Sequence, residues 1–549
     1  MRLIPLLCRT AGSTGNPSDG AVARTLRRTL LLALTVACSL SASAQSTPVQ
    51  TDPVQTPPIQ TPPIQTPPIQ TPPTHLAVEA GLGATNNSGL SPPGQERADL
   101  IATVRPKVDF YRRTARLELD LAAAAALVGY VKGTQPNEVL PELRAFARSE
   151  LIERWFYFDA AAEVGQTQSD PFGARVYQYS TINTRTSTAF RASPYVLRDI
   201  SSNSFVLARY DYATTNNGAG TGQRLVSQRT SVRYESQPVP VGMAFEISRL
   251  DNETPGVEES QLTIDTARAA ARFALPNQMI LGATAGVDRS DNAGFRATDP
   301  LYGLSLVWNP DPRTAVDVVI EHRFFGLGGL LALHHRTAST AFALTVERGP
   351  ATVTTTLGQV NGRSDLRPLL DAILAAKYPD ANARRGPVGS VVRDRALDVQ
   401  LPIPTSIVSG YPQLQTNTRA SWAYLGTRNT AALSVYMQTS QQLIHEGEPP
   451  LPNGAQSDSR QFGASVQVGR RLAPHLSVNF VVDWSRINGL AVHAGESSEE
   501  WVQRLVFSRD ISTRTAISGG FQHTSFSSNA SGQNDYKAAL AFVGLRHSF

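Results

Sequence analysis

Cysteine is almost missing from this chain. Its 549 residues include two, Cys8 and Cys38, and both precede a small-residue cleavage pattern at 41–45. A chain cut there has no thiol left. That excludes disulfides, thiolate zinc sites and cysteine nucleophiles from the mature protein. Cys38 follows Ala37, as in a lipidation site, but Thr35 stands where such a site wants Leu. Long apolar runs are equally scarce. Past the leader, nothing approaches the ~18 residues of a membrane helix, so any membrane crossing must use strands. A surplus of basic charge is missing too. The chain carries 50 Lys and Arg against 45 Asp and Glu, and residues 1–44 hold five of those Arg (2, 9, 24, 27, 28) and one Asp (19). Subtraction leaves 45 against 44, which removes the electrostatic case for a nucleic-acid partner. There is no Walker loop, no H-E-x-x-H and no G-x-S-x-G. No residue is assigned to catalysis, a metal or a cofactor, and no cofactor is expected.

What is present begins with a leader. Arg24, Arg27 and Arg28 precede the apolar stretch 29–40 (TLLLALTVACSL), and SASAQ follows with Ala42 and Ala44 at the small positions. Residues 1–44 are expected to be a secretory signal with an extended basic start, cut between Ala44 and Gln45. Residues 45–74 contain TPPIQ repeats. Paired prolines fix φ and remove donors, so a polyproline II spacer in the periplasm is expected. Its alternative role is a docking strip for a periplasmic partner or the cell wall.

From residue 75 the chain alternates. LSVNFVVDW puts Leu476, Val478, Phe480, Val482 and Trp484 on one face, and Ser477, Asn479 and Asp483 on the other, with Val481 out of pattern. Segments near 117, 156 and 316 alternate in the same way. Period two means strands with one apolar and one polar face. Short connections alternate with long polar ones, 214–222, 251–260, 290–300, 445–459, 488–498 and 527–534 among them. That asymmetry, with strands long enough to cross a bilayer at a tilt, predicts an all-β, antiparallel, up-and-down transmembrane barrel over 75–549. About 22 strands are expected, or 20 or 24 if one hairpin is miscounted. An even count places both barrel ends on the periplasmic side. The candidate lumen-lining residues are Glu118, Asp120, Asp159, Glu163, Asp317, Glu321, Arg323 and Asp483. Two runs with apparent motif character are read more plainly: Gly218, Gly220 and Gly222 as a flexible tip, and the adjacent His334 and His335 as residues on opposite faces of one strand.

The segment 349–413 breaks the rhythm. Leu366, Leu369, Leu370, Ile373 and Leu374 recur at helical spacing and Pro379 ends the run. This partly helical insert is expected to leave on the long-loop side. It then packs on itself outside, plugs the lumen, or docks a partner. The last strand alternates up to the carboxylate. Val543, Leu545, His547 and Phe549 share a face, and a terminal aromatic residue resembles the signal read by the barrel-assembly machinery. The expected surroundings are outer-membrane lipid and that machinery.

A set of ordered stretches carries a resemblance: ADLIATVRPKVDFYRRTARLELDL (98–121), ELIERWFYFDAAAEVGQ (150–166), TSTAFRASPYVLRDI (186–200), WNPDPRTAVDVVIEHRFFG (308–326), LHHRTASTAFALTVERG (333–349), LLDAILAAKYPDANARR (369–385) and VGLRHSF (543–549). Together they resemble the PEP-CTERM system-associated outer-membrane β-barrel proteins, which accompany exosortase and polysaccharide-export loci in Gram-negative bacteria. The chain departs from that pattern at His547, where Tyr is usual, and in its proline repeat. The resemblance implies an outer-membrane location, and polysaccharide-export or PEP-CTERM components as partners. Three functions are therefore set against each other. The first is a non-enzymatic barrel assisting export or surface assembly of exopolysaccharide or sorted proteins. The second is a general or substrate-specific porin, and the third an outer-membrane lipid or glycan hydrolase.

Overall fold

The computed structural model describes residues 74–175, 182–217, 224–256, 260–292, 294–351, 363–395, 397–398, 400–402, 404, 411–445 and 458–549. The expected leader, its cleavage at Ala44 and Gln45, nearly all of the proline-rich spacer and the glycines at 218, 220 and 222 lie outside these.

The alternating segments form long strands. In chain order they are β1 (Thr74–Thr85), β2 (Asp99–Arg113), β3 (Leu117–Tyr130), β4 (Glu138–Ile152), β5 (Phe156–Gln168), β6 (Thr184–Ser201), β7 (Ser204–Asn217) and β8 (Arg224–Ser236). Next come β9 (Val241–Glu253), β10 (Leu262–Leu275), β11 (Met279–Asn292), β12 (Phe295–Asp311), β13 (Thr314–Arg323), β14 (Gly326–Arg336) and β15 (Thr340–Pro350). The insert holds two short strands, β16 (Arg363–Asp365) and β17 (Gln400–Pro402), and two helices, α1 (Arg367–Leu374) and α2 (Ala381–Asp394). The wall resumes with β18 (Gln413–Leu425), β19 (Asn429–Gln442), β20 (Ser459–Ala473), β21 (Leu476–Gly489), β22 (Ser497–Asp510), β23 (Thr515–Ser528) and β24 (Tyr536–Ser548).

Each wall strand pairs antiparallel with its neighbours in sequence, β15 pairs directly with β18, and β24 pairs back onto β1, so 22 strands close into a barrel. The seam is long: Ala77 faces Ser548, Ala80 faces Leu545 and Thr85 faces Leu540. The Phe549 N–H then donates to Leu76 O at 2.9 Å. Closure satisfies the edge groups that hydrocarbon would leave unpaired.

One rim has only tight turns, the longest being 237–240 and 511–514. Four register shifts, at Trp308/Asp311, Arg471/Ala473, Glu150/Ile152 and Asp199/Ser201, all sit beside these turns. A bulge there lets a short hairpin keep the strand twist. The other rim carries the long excursions, with one correction. The stretch 290–300 is not a long loop. β11 and β12 stay paired to Asn292 and Phe295. Their outward residues here are polar, and Arg296 pairs with Asp291 at 2.7 Å. The hairpin therefore projects as paired strand with a water-compatible outer face, and polarity alone reads as a loop.

The outer face is apolar. Leu82, Val104, Phe190, Ile247, Leu304, Val466, Phe480 and Phe521 are all exposed. An isolated soluble domain does not present such a continuous belt. Aromatic residues mark both edges. Toward the tight-turn rim, Trp422 and Tyr424 stack at 6.4 Å. Toward the long-loop rim, the indole N–H groups of Trp484 and Trp501 both donate to Glu499, at 3.0 and 2.9 Å. This belt predicts that Leu304→Arg, at the middle of β12 on the lipid face, lowers folding stability in lipid vesicles by about 2–4 kcal/mol, measured by urea-induced unfolding.

Candidate functional site

Pairing partners share a face, so the inward side can be followed around the whole barrel. All eight charged residues expected in the lumen point inward. Glu118 and Asp120 do so on β3, Asp159 and Glu163 on β5, Asp317, Glu321 and Arg323 on β13, and Asp483 on β21. The structure brings two groups of them into ion-pair networks. On one side, Asp159 accepts from Arg148 at 3.2 Å and lies 3.4 Å from Arg209, which also binds Asp211 at 3.0 Å. On the other, Arg268 bridges Glu246 and Glu321, both at 2.8 Å. Arg323 holds Asp288 at 2.7 Å, and Thr266 donates to the same carboxylate. Asp483 belongs to a different stretch of wall, where Gln438, Gln461, Ser465, Gln467 and Asn479 are buried.

These pairs are sorted by radius. The carboxylates of Asp159 and Glu163 are 3% and 6% exposed, whereas Arg148 and Arg144 opposite them are 55% and 56% exposed. Length explains the order. A carboxylate on a short stem stays against the wall, and a guanidinium on a long stem reaches past it toward the axis. The arginines were not among the expected lumen residues, except Arg323. Their signal was present in the sequence, since Arg144 and Arg148 alternate with apolar neighbours in β4 as the acids do in β5.

The insert enters this lumen. Leu366, Leu369, Leu370 and Ile373 bury against Ala341, Ala423 and Ala432, the inward alanines of β15, β18 and β19 near the tight-turn rim. The small wall residues leave room for the helix. Pro368 suits the first turn of α1, where an N–H has no partner anyway. Pro379 ends the run, but a second helix follows it. α2 contains Gly386, Pro387 and Gly389, a composition with poor intrinsic helicity, and so it is held by contacts. Arg384 Nε binds Asp371 of α1 at 2.8 Å. The Arg385 guanidinium lies 3.5 Å above the Tyr111 ring and 3.7 Å from Asp120, both inward on β2 and β3. Arg395 forms a clamp at the rim, donating to the carbonyls of Gly426 (2.7 Å), Thr427 (3.2 Å) and Asn429 (2.9 Å) and to the Thr430 hydroxyl. Asp398 pairs with Arg504 of β22, and Ser477 of β21 donates to Asp394 O. The insert thus reaches wall strands from β15 round to β22, and β2 and β3 beyond the seam.

A second excursion closes on the long-loop rim. In 169–175, Phe172 packs with Ile487 and Ala530. Ser498 donates to Phe172 O at 2.7 Å, and Gln533 donates to Asp170 at 2.7 Å. Arg175 reaches the Tyr436 hydroxyl, inward on β19. Tyr436 lies flat over Gly463, where a Cβ would sit 2.2 Å from the ring. Nothing in the local pattern of 169–175 signals this crossing.

The terminal strand places Val543, Leu545 and His547 outward, with Phe549 exposed beyond them. His547 meets the Thr515 hydroxyl at 3.0 Å, and its ring packs edge-on to Phe549 at 4.9 Å. His334 and His335 point to opposite faces, and His335 meets Thr314 at 2.9 Å.

No family model and no curated protein matches this sequence. Among solved structures the chain is similar to the siderophore receptor PirA from Pseudomonas aeruginosa, at 10% identity and TM-score 0.39, covering 86% of this chain and 80% of that one. It is also similar to the FrpB iron transporter from Neisseria meningitidis (F5-1 variant), at 7% identity and TM-score 0.44, covering 86% and 82%. A third is OccK2 (OpdF) from Pseudomonas aeruginosa, at 7% identity and TM-score 0.32, covering 87% and 98%. All three are distant likenesses.

Two outcomes follow from this geometry. Arg395→Ala frees the rim end of the insert. Bonds from a charged donor contribute about 1.5–3 kcal/mol each, so trypsin cleavage at Arg384, Arg385 or Arg393 accelerates at least about tenfold while global unfolding stays unchanged. The second concerns Asp458 at the long-loop rim, which accepts the Gln442 N–H at 2.8 Å. Burial pushes its carboxyl up to about 6 from an ordinary 3.8. A raised acid pKa penalises the folded, ionised form. The penalty is absent below the ordinary value, grows as pH rises from there to about 6, and is constant above. Protection of the Gln442 amide, corrected for intrinsic exchange, should fall across that window, and Asp458→Asn should flatten it.

Proposed function

We propose that this chain is an outer-membrane conduit held shut by its own insert, and that it assists export or surface assembly of exopolysaccharide or sorted proteins. One observation carries the first part: an apolar helix-containing segment seats in the lumen near the tight-turn rim and is clamped there by Arg395. A barrel serving only as an anchor has no use for a polar lumen beside a seated insert. The ordered stretches resembling the PEP-CTERM-associated barrels support the second part, as does the proline-rich sequence of 45–74, expected to be a periplasmic spacer. On this reading the tight-turn rim faces the periplasm and the long-loop rim the exterior.

A substrate-selective porin is the second reading, favoured by the charged wall of β4–β13. Planar-bilayer recording separates the two. The intact protein should be silent or nearly so, and replacing 351–412 by a short Gly-Ser link should give large open steps. Large steady steps from the intact protein would overturn the gate and favour the porin. Silence from both would leave an assembly or anchoring role.

A further inference from the structure

We propose that the lumen wall of β4–β7 is a binding strip for carboxylate-bearing saccharides. This deepens the conduit reading and rests on it for its physiological sense, but the binding chemistry stands on the wall itself.

Three features meet there. The first is cationic reach. The guanidiniums of Arg144 and Arg148 project into the lumen while their carboxylate partners stay buried behind them. An anion approaching from the axis meets positive charge first. Each guanidinium has five N–H donors and spends only some on the wall, so donors remain for a planar carboxylate.

The second is an unmatched cation. Arg191 lies between Ala161 and Ala213 in the register, with no acid opposite it on either neighbouring strand. Its Nε is buried without a hydrogen-bond partner. A buried donor left unpaired costs free energy that an incoming acceptor would recover.

The third is an aromatic platform. Tyr157 and Tyr195 are paired across β5 and β6 and stack at 5.1 Å with 13° between planes. The Arg209 guanidinium sits 4.9 Å over the Tyr195 ring. Tyr195 is flanked by Tyr157 and Arg209, so the platform for the C–H face of a sugar ring is the Tyr157 face toward β4, and Arg148 on that strand fits a ring that carries a carboxylate. Inorganic anions would use the arginines and ignore the rings. Neutral sugars would use the rings but offer the arginines only uncharged hydroxyl acceptors. A uronic-acid saccharide uses both.

The test is titration calorimetry on the intact protein in detergent, with trigalacturonate, maltotriose and sulfate as probes. Trigalacturonate should bind more tightly than either of the others, and its affinity should fall with added salt. The Arg144→Gln/Arg148→Gln double variant should weaken trigalacturonate by about tenfold or more. Tyr157→Leu should weaken trigalacturonate but leave sulfate unchanged. Heat-modifiable migration on a gel confirms that each variant stays folded. Maltotriose binding as well as trigalacturonate, sulfate binding as well as trigalacturonate, or no trigalacturonate binding overturns the proposal. These outcomes come from the unaltered protein and do not depend on the variants. They also do not depend on conductance, so trigalacturonate binding by a barrel that stays silent even with 351–412 replaced sinks the conduit and not the strip.

Discussion

Every backbone N–H and C=O in the hydrocarbon layer must find its partner within the protein, because no water is there to serve instead. This one requirement organises the rest of the molecule. It demands a closed sheet, and closure demands that β24 find β1 across the whole chain length. It makes the wall indifferent to side chains except by face, so alternation is free to send apolar groups to lipid and polar ones inward. The same wall then encloses a space that must be hydrated, lined with satisfied charge, or filled. The last two conditions occur here, in different sectors.

The sector from β3 to β13 is lined with charge in pairs. Pairing neutralises the wall on average but does not make it featureless. Because Asp and Glu are short and Arg is long, inward pairs such as Arg148 with Asp159 and Arg268 with Glu321 are small radial dipoles with the positive end toward the axis, whereas Arg105 with Glu142 reverses that order. The sector from β15 to β22 is lined mainly with small and amide side chains, Ala341, Ala423, Ala432, Gln438, Gln467 and Asn479, with scattered charges such as Asp483 and Arg504. Small residues admit a helix, and amides can both donate and accept toward whatever lies against them. The insert seats on the alanines, and its arginines complete the rim. The two sectors differ in what they can hold, and the difference resides in side-chain size as much as in charge.

Much of this was legible beforehand because period two is a local signal. Each of the 22 wall strands left its own alternation, and the eight charged residues read as inward do point inward. What was not legible depends on contacts between distant parts. Gly386, Pro387 and Gly389 argue against a helix at α2, which is held by the bonds of Arg384 and Arg385 and by Val388, Val391 and Val392 packing into the cluster of α1. Arg395 looks like any surface arginine until the turn at 426–430 is brought to it. The polar stretch 290–300 reads as a loop because strands leaving a membrane look like loops in composition. Phe172 gives no local hint that it crosses to Ile487. For the insert, leucine spacing announced a helix but could not choose among three places to put it.

The direct pairing of β15 with β18 has a mechanical consequence. Residues 351–412 leave and re-enter the wall at adjacent strands, so the ladder runs past them unbroken. The segment is attached to the cylinder by two covalent threads and by lumen contacts, the hydrogen bonds of Arg395 and Ser477 among them, and the β15–β18 ladder does not pass through it. Its departure would leave the cylinder's own cohesion untouched. Restraint of the insert and integrity of the wall are thus independent quantities in this molecule, and a change in one can occur at constant value of the other.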